Sequence, residues 1–398
     1  MQIIVQKFGG TSVATEESRE KVIEKIKAAL SKDEMPVVVV SAIGRKGSPY
    51  ATDTLIDFVS QTAGQMSDRE YDMLLACGEI ISAVTMATKL NACGIKAKAF
   101  TGGQAGIITD CYHKQADLLY AKTEALLATI EEGIVPVVAG FQGMTVDGEI
   151  TTLGRGGSDT TASMLGGAIK ANRIEIFTDV DGIMTADPRI CEKASFIPAI
   201  SYTEVFQMAD NGAKVIHPRA VEYAMRANIP LVIKNTFSDA EGTFIVQSVE
   251  GCNLSKAHTV ITSVANRNNR VQFTIEEDIL VSEGILEKMA EAHISIDLIN
   301  IFPKTKMFTI DAEDQGALEK LLKDLGYTYS VVTGCAKVTA IGERMTGVPG
   351  VMARIIKALA QAHIEVLQTA DSLTTIACLI KESEVSKAIN VLHDEFKL

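Results

Sequence analysis

The strongest constraint on the fold is a rhythm: short β-branched runs recur, each closing in a glycine-rich or polar cluster just before a helical pattern. Ile3, Ile4 and Val5 lead into Lys7-Phe8-Gly9-Gly10-Thr11-Ser12, and the run from Val37 ends at Ser41, ahead of Gly44-Arg45-Lys46-Gly47. Lys98 to Phe100, an edge-type run, leads into Thr101-Gly102-Gly103, Val135 to Ala139 into Gly140-Phe141-Gln142-Gly143, and Ile174 to Phe177 into Thr178-Asp179-Val180-Asp181-Gly182. Near-continuous apolar runs belong to strands covered on both faces. With helices between them, and further runs at Leu231 to Lys234 and Thr243 to Val246, they predict a three-layer α/β domain with a mainly parallel sheet. In such a sheet the ligand lies at the carboxyl ends of the strands, where the glycines fall.

Composition narrows the class. The 398 residues exceed one ordinary core, and 47% hydrophobic against 22% charged residues suits a globular chain. No uninterrupted apolar run approaches the ~20 residues of a membrane span, and the N-terminus lacks a signal-peptide layout. The expectation is therefore a cytoplasmic protein without a membrane partner. A formal net charge of −12 argues against nucleic acid, which demands positive charge. Seven scattered cysteines with no C-x-x-C read as small buried hydrophobes, with neither disulfides nor a structural metal site.

Several segments carry chemistry. Two adjacent glycines between the first strand and its helix allow close backbone approach, and Lys7 adds charge there; the alternatives are a phosphate cradle and an ordinary turn with a surface lysine. Gly154-Arg155-Gly156-Gly157-Ser158-Asp159, ahead of a small-residue helix expected from Ala162 to Ile169, supplies flexible backbone donors, a guanidinium and a helix N-terminus. Asp159 would repel a phosphate by itself, so it either meets a metal, holds Lys7, or serves as an N-cap. Glu79 lies among Leu74, Leu75, Ile80 and Ile81 in a long helix, either as a carboxylate in an apolar setting or on an exposed face.

The tail repeats itself. Met289-Ala290-Glu291-Ala292-His293-Ile294 returns 70 residues later as Leu359-Ala360-Gln361-Ala362-His363-Ile364, and Phe308-Thr309-Ile310 returns as Cys378-Leu379-Ile380. Each copy runs strand, helix, strand, strand, helix, a ferredoxin-like βαββαβ unit used twice. His293 and His363, at equivalent places, read as helix-end residues, not metal ligands.

With Lys7-Phe8-Gly9-Gly10-Thr11-Ser12, the Gly154 to Asp159 string, Thr178-Asp179-Val180-Asp181-Gly182 and Asp187-Pro188-Arg189 in this order, the chain resembles the aspartate kinases. The likeness implies an amino-acid kinase domain over 1–247 and two ACT domains over 259–334 and 335–398, with the strand 260–265 pairing with strands after Cys335. It implies ATP and Mg²⁺ as cofactors and L-aspartate as acceptor, phosphorylated on its β-carboxylate in the first step of lysine, threonine, methionine and diaminopimelate biosynthesis. Carried over by position, Lys7 would stabilise the transferring phosphoryl group and Asp159 would orient it. Gly9, Gly10 and Ser41 would contact phosphates; Thr178, Asp179, Met184, Asp187, Arg189 and Lys214 would line the nucleotide. Many members have an aromatic residue at the place of Met184. Glu79 would take the substrate ammonium and Arg155 its α-carboxylate, with Thr52, Gly156, Gly157 and Ser158 completing that pocket. The tail resembles diaminopimelate-sensitive members most, implying an effector among lysine, threonine and meso-diaminopimelate and a homodimer or dimer of dimers through the ACT domains. The rivals are a kinase for another amino-acid carboxylate and a catalytically silent amino-acid sensor.

Overall fold

The computed structural model describes residues 2–61, 66–213, 216–249, 259–276 and 284–398. They fall into two compact units. The first comprises Met1–Ile183, Phe196–Phe206 and Lys214–Lys256; the second comprises Met184–Ser195, Gln207–Ala213 and Ala257–Leu398. Where the sequence suggested a single cut after residue 247, two stretches that precede that cut belong to the second unit.

The strands up to residue 246 are β1 (Gln2–Phe8), β2 (Glu34–Val40), β3 (Ala97–Phe100), β4 (Ile107–Thr109), β5 (Leu118–Ala121), β6 (Val135–Ala139), β7 (Gln142–Thr145), β8 (Ile150–Thr152), β9 (Arg173–Thr178), β10 (Ala199–Ser201), β11 (Leu231–Asn235) and β12 (Thr243–Val246). The helices are α1 (Glu16–Leu30), α2 (Thr52–Ser60), α3 (Asp68–Ala92), α4 (Glu124–Glu131), α5 (Gly157–Ala168), α6 (Tyr202–Asp210) and α7 (Pro218–Ala227). Eight strands form the main sheet in the order β10-β12-β11-β9-β1-β2-β6-β3. The sheet is parallel from β11 to β3, and β12 runs against β11. The central strands are buried toward their carboxyl ends: Ile4, Val5, Phe8 and Val37 to Val40 have no exposure. Register aligns their ends, with Phe8 opposite Val40 on one side and Phe177 on the other. Gly9, Ser41 and Thr178 therefore emerge at one edge.

A second sheet, β5-β4-β7-β8, was not foreseen. Gln142 and Gly143, expected in a loop, begin β7, which pairs antiparallel with β8. The segment ahead of α5 is corrected too. This helix starts at Gly157, not Ala162, because Gly156 caps it in the left-handed conformation at φ 69°. Asp159 accordingly sits in the first helical turn and is not the N-cap. Among the described helices α3 is long and apolar enough, by composition, to cross a membrane; half of that stretch is buried here, and the acidic side chains Asp72 and Glu79 of this helix are buried too.

In the second unit the elements are β13 (Ser263–Glu276), α8 (Ile285–Glu291), β14 (Ile299–Phe302), β15 (Thr305–Asp311), α9 (Gln315–Asp324), β16 (Thr328–Ile341), α10 (Val351–Gln361), β17 (Gln368–Asp371), β18 (Thr375–Lys381) and α11 (Val385–Phe396). Both repeats share one sheet, β14-β15-β13-β16-β18-β17. β13 and β16 are long enough to serve both: Ser263, Val264 and Ala265 pair with Ile341, Ala340 and Thr339, while Phe273 pairs with Val331. The stretch Met184–Ser195 is fixed inside this unit. Ala186 and Cys191 enter the core around Val338, Ile355 and Leu392, and Thr185 Oγ1 lies 2.9 Å from Nε2 of the buried His393. His293 and His363 take φ 57° and 54° just past α8 and α10, the left-handed position that ends a helix. The cysteines divide: Cys191, Cys335 and Cys378 are buried as expected, Cys77, Cys93 and Cys111 are exposed, and Cys252 lies outside the described residues.

Candidate active site

A cleft of about 280 Å³ opens in the first unit at the carboxyl edge of the main sheet. Lys7, Gly10, Ser41, Thr52 and Glu79 line one part of it, and Arg155, Gly156, Gly157, Ser158 and Asp159 another. The structure thus brings together residues separated by more than a hundred positions. Each arrives for a local reason.

Lys7 projects from the end of β1 and is 9% exposed, and its Nζ is 2.6 Å from Asp159 Oδ1 in the first turn of α5. Of the roles left open for Asp159, the structure shows the contact with Lys7. Gly10 must be glycine, because a Cβ there would lie 2.6 Å from the Gly44 carbonyl oxygen and 2.8 Å from that of Ala42. The two loops are tied, since Gly44 N donates to Gly10 O at 3.0 Å. Gly9 has room by comparison, its nearest neighbours being 3.8 Å away.

Glu79 is strongly perturbed by its surroundings. It is 3% exposed; Oε1 accepts from Ala42 N at 3.1 Å, while Oε2 is buried with no hydrogen-bond partner. Burial pushes its pKa up to about 8, against the lowering effect of the backbone donor. A cation delivered to Oε2 would complete the site. Arg155 is its counterpart: it is exposed and makes no ion pair among the described residues. Its backbone is set by Gly154 and Gly156, both at positive φ, 75° and 69°.

The expected nucleotide residues divide. Gly9 and Thr178 emerge at the same sheet edge, and Gly9 N donates to Phe177 O at 3.4 Å. Asp179 pairs with Arg45 at 3.1 Å, joining the loops that follow β9 and β2. Met184, Asp187 and Arg189 belong to the second unit, where Arg189 forks onto the Asp187 carboxylate at 2.6 Å. Lys214 lies outside the described residues. No three His, Cys, Asp or Glu side chains converge on an ion position among the described residues.

Sequence reasoning missed the groups that hold the Arg155 loop. Asp72, fully buried, accepts from Lys114 N at 3.0 Å, from Thr152 N at 3.0 Å and from Thr152 Oγ1 at 2.5 Å, and faces His113 Nδ1 at 2.8 Å. Arg219 donates to Leu153 O and Ala116 O, each at 2.6 Å, and pairs with Asp117. The signal for Asp72 was its place seven residues before Glu79, two helical turns earlier along α3.

The residues from 2 to 235 match the family described as "Amino acid kinase family", and those from 330 to 394 match an "ACT domain". Aspartokinase 1 of Bacillus subtilis is 44% identical over 404 residues, covering 100% of both chains. The aspartokinase of Geobacillus stearothermophilus is 37% identical over 407 residues, covering 100% of this chain and 98% of that protein. Among solved structures, E. coli aspartokinase III in complex with lysine and aspartate, in its T-state, is similar with a TM-score of 0.77 at 26% identity, with 100% of each chain covered. A match over most of the kinase fold, joined to full-length likeness well above chance, places the chain in the amino acid kinase family and, within it, among the aspartokinases.

Proposed function

We propose that this chain transfers the γ-phosphoryl group of ATP to the β-carboxylate of L-aspartate, giving 4-phospho-L-aspartate. The observation that carries the reading is Glu79: a buried carboxylate oxygen without a partner among the described residues, beside a cleft that also presents Arg155, unpaired among those residues. A free amino acid offers an ammonium for the first and an α-carboxylate for the second. An acetylated amine brings no positive charge to the buried Glu79 carboxylate, which disfavours an N-acetyl amino-acid kinase.

The chemistry suits the cleft. A carboxylate acceptor is already ionised at neutral pH, so no general base is needed. Phosphoryl transfer asks chiefly for positioning and positive field. Lys7, oriented by Asp159, supplies a fixed cation; Gly156, Gly157 and Ser158, at the start of α5, complete the pocket for aspartate. Mg²⁺, when bound with the nucleotide, neutralises phosphate charge. Gly9, Gly10 and Ser41 serve the phosphates, and Thr178 and Asp179 the nucleotide.

We further assign the second unit the role of sensor for an end-product amino acid, with lysine, threonine and meso-diaminopimelate as candidates, and of a subunit interface. Support comes from its free edges, β14 and β17, since the inner edges of the two repeats are already paired through β13 and β16. Ile301 and Phe302 on β14 are 47% and 50% exposed, as an unpaired interface strand would be.

A coupled assay tests the reading. ADP should form with L-aspartate and ATP but not with N-acetyl-L-aspartate or with buffer alone. Turnover with the acetylated substrate, or none with aspartate, would overturn it.

A further inference from the structure

The segment His217-Pro218-Arg219 opens α7, with His217 as its N-cap. It lies against the loop that carries Arg155, on both sides of that residue. Ahead of Arg155, the Arg219 guanidinium donates to the carbonyl of Leu153 and, with its other nitrogen, to that of Ala116, each at 2.6 Å. Behind it, a Cβ on Gly156 would fall onto the Cβ and ring of His217, so the glycine's bare α-carbon rests on that side chain. Gly154, the remaining hinge, is closed off by the Lys114 carbonyl oxygen, 2.9 Å from where its Cβ would be. Lys114 is in turn held through its N–H by the fully buried Asp72, which also binds Thr152.

Two glycines at positive φ would ordinarily make Arg155 the most adaptable point of the cleft. Here each is pinned by a group that is remote in sequence. We propose that Arg219 and His217 are positioning residues for substrate recognition: they preset the Arg155 backbone so that its guanidinium meets the α-carboxylate of the amino acid without first ordering the loop. The benefit falls on aspartate and not on nucleotide, since the ordering cost removed is that of the Arg155 loop alone. A guanidinium suits the task because its planar fork reaches two carbonyls at once, which an ammonium on a flexible stem does less well.

This inference rests on the reading of Arg155 as the α-carboxylate ligand. The test uses the full chain and compares Arg219→Ala and Arg219→Lys with Arg155→Ala, measuring kcat, both KM values and the thermal unfolding midpoint. Arg219→Ala should raise the KM for aspartate about tenfold or more while the KM for ATP stays within about threefold, and Arg219→Lys should fall between it and wild type. If the alanine variant does not fold, the lysine variant carries the test, with an expected rise of about threefold in the aspartate KM alone. A folded variant with wild-type KM for aspartate, or with both KM values raised in parallel, overturns the positioning role and leaves Arg219 as a structural clamp. If Arg155→Ala itself leaves the aspartate KM unchanged, the substrate reading fails, and that outcome is distinct from the failure of Arg219 alone.

Discussion

Lys7 and Asp159 meet at 2.6 Å, one at the end of the central strand and the other in the first turn of α5. A cation so placed needs no rearrangement to face a developing charge. Lys7→Met should lower kcat by about 10²-fold or more, since one preorganised donor at such a charge contributes roughly 3–4 kcal/mol. ATP affinity should change much less. Steady-state kinetics check this, and a variant retaining over half of wild-type kcat would remove Lys7 from the chemistry.

Glu79 gives a pH dependence of defined sign. Its folded pKa of about 8 exceeds the ordinary 4.5, so the native state holds a proton that the unfolded state gives up. This group's contribution to stability therefore falls as pH rises from 4.5 and levels off above 8. Glu79→Gln should be more stable than wild type in alkaline urea titrations, by an amount on the order of a few kcal/mol. Aspartate should bind better as pH rises toward 8, because its ammonium needs the ionised form. Calorimetry at pH 7 in buffers of different ionisation enthalpy should register proton release on aspartate binding. Buffer-independent heats would contradict the pairing.

The adjacent glycines 9 and 10 should respond differently to alanine. At Gly10 the new Cβ meets two backbone carbonyls, neither of which can swing aside, so Gly10→Ala should cost ~1–3 kcal/mol in equilibrium unfolding. At Gly9 the contacts are ordinary, and Gly9→Ala should fold within about 0.5 kcal/mol of wild type. Any loss there should appear in the KM for ATP. Equal destabilisation by the two substitutions would refute this account of the turn.

The β17–β18 turn offers a test of the sensor. Ser372 Oγ is engaged locally, accepting from Thr374 N at 3.3 Å and Thr375 N at 3.1 Å, so Ser372→Ala should loosen the turn as well as any effector contact. Thr374→Ala leaves that turn intact. Dose–response curves with lysine, threonine and meso-diaminopimelate, singly and in pairs, should show weaker inhibition for both variants with uninhibited kcat within about twofold, as a coupling of ~1–3 kcal/mol housed in the tail requires. No inhibition of wild type at millimolar concentrations would leave the tail as an interface only.

Much of this was legible from the chain because the signals are local. Buried parallel strands announce themselves as apolar runs, which is why β6 was read to the residue, and a 70-residue repeat needs no tertiary knowledge. What escaped depends on distant partners or on conformations that composition disguises. Gly157 to Thr161 looks like a loop by propensity, yet Gly156 caps a helix there. Asn266 to Arg270 looks like a break, yet β13 passes through it with register shifts and so joins two repeats in one sheet. Asp72 and Arg219 hold backbone groups 80 and 66 residues away, a relationship that no window along the sequence contains.

The assignment of Met184–Ser195 to the second unit bears on how this protein can be divided. Shortening the chain at residue 247 would keep that segment but remove its surroundings: the core that buries Ala186 and Cys191, and the imidazole that meets Thr185. The product would carry an unfolded insertion between β9 and β10, with apolar side chains newly turned to water. A gene boundary drawn by domain order would therefore cut through a folding unit, and a soluble N-terminal fragment would need that insertion redesigned together with the cut.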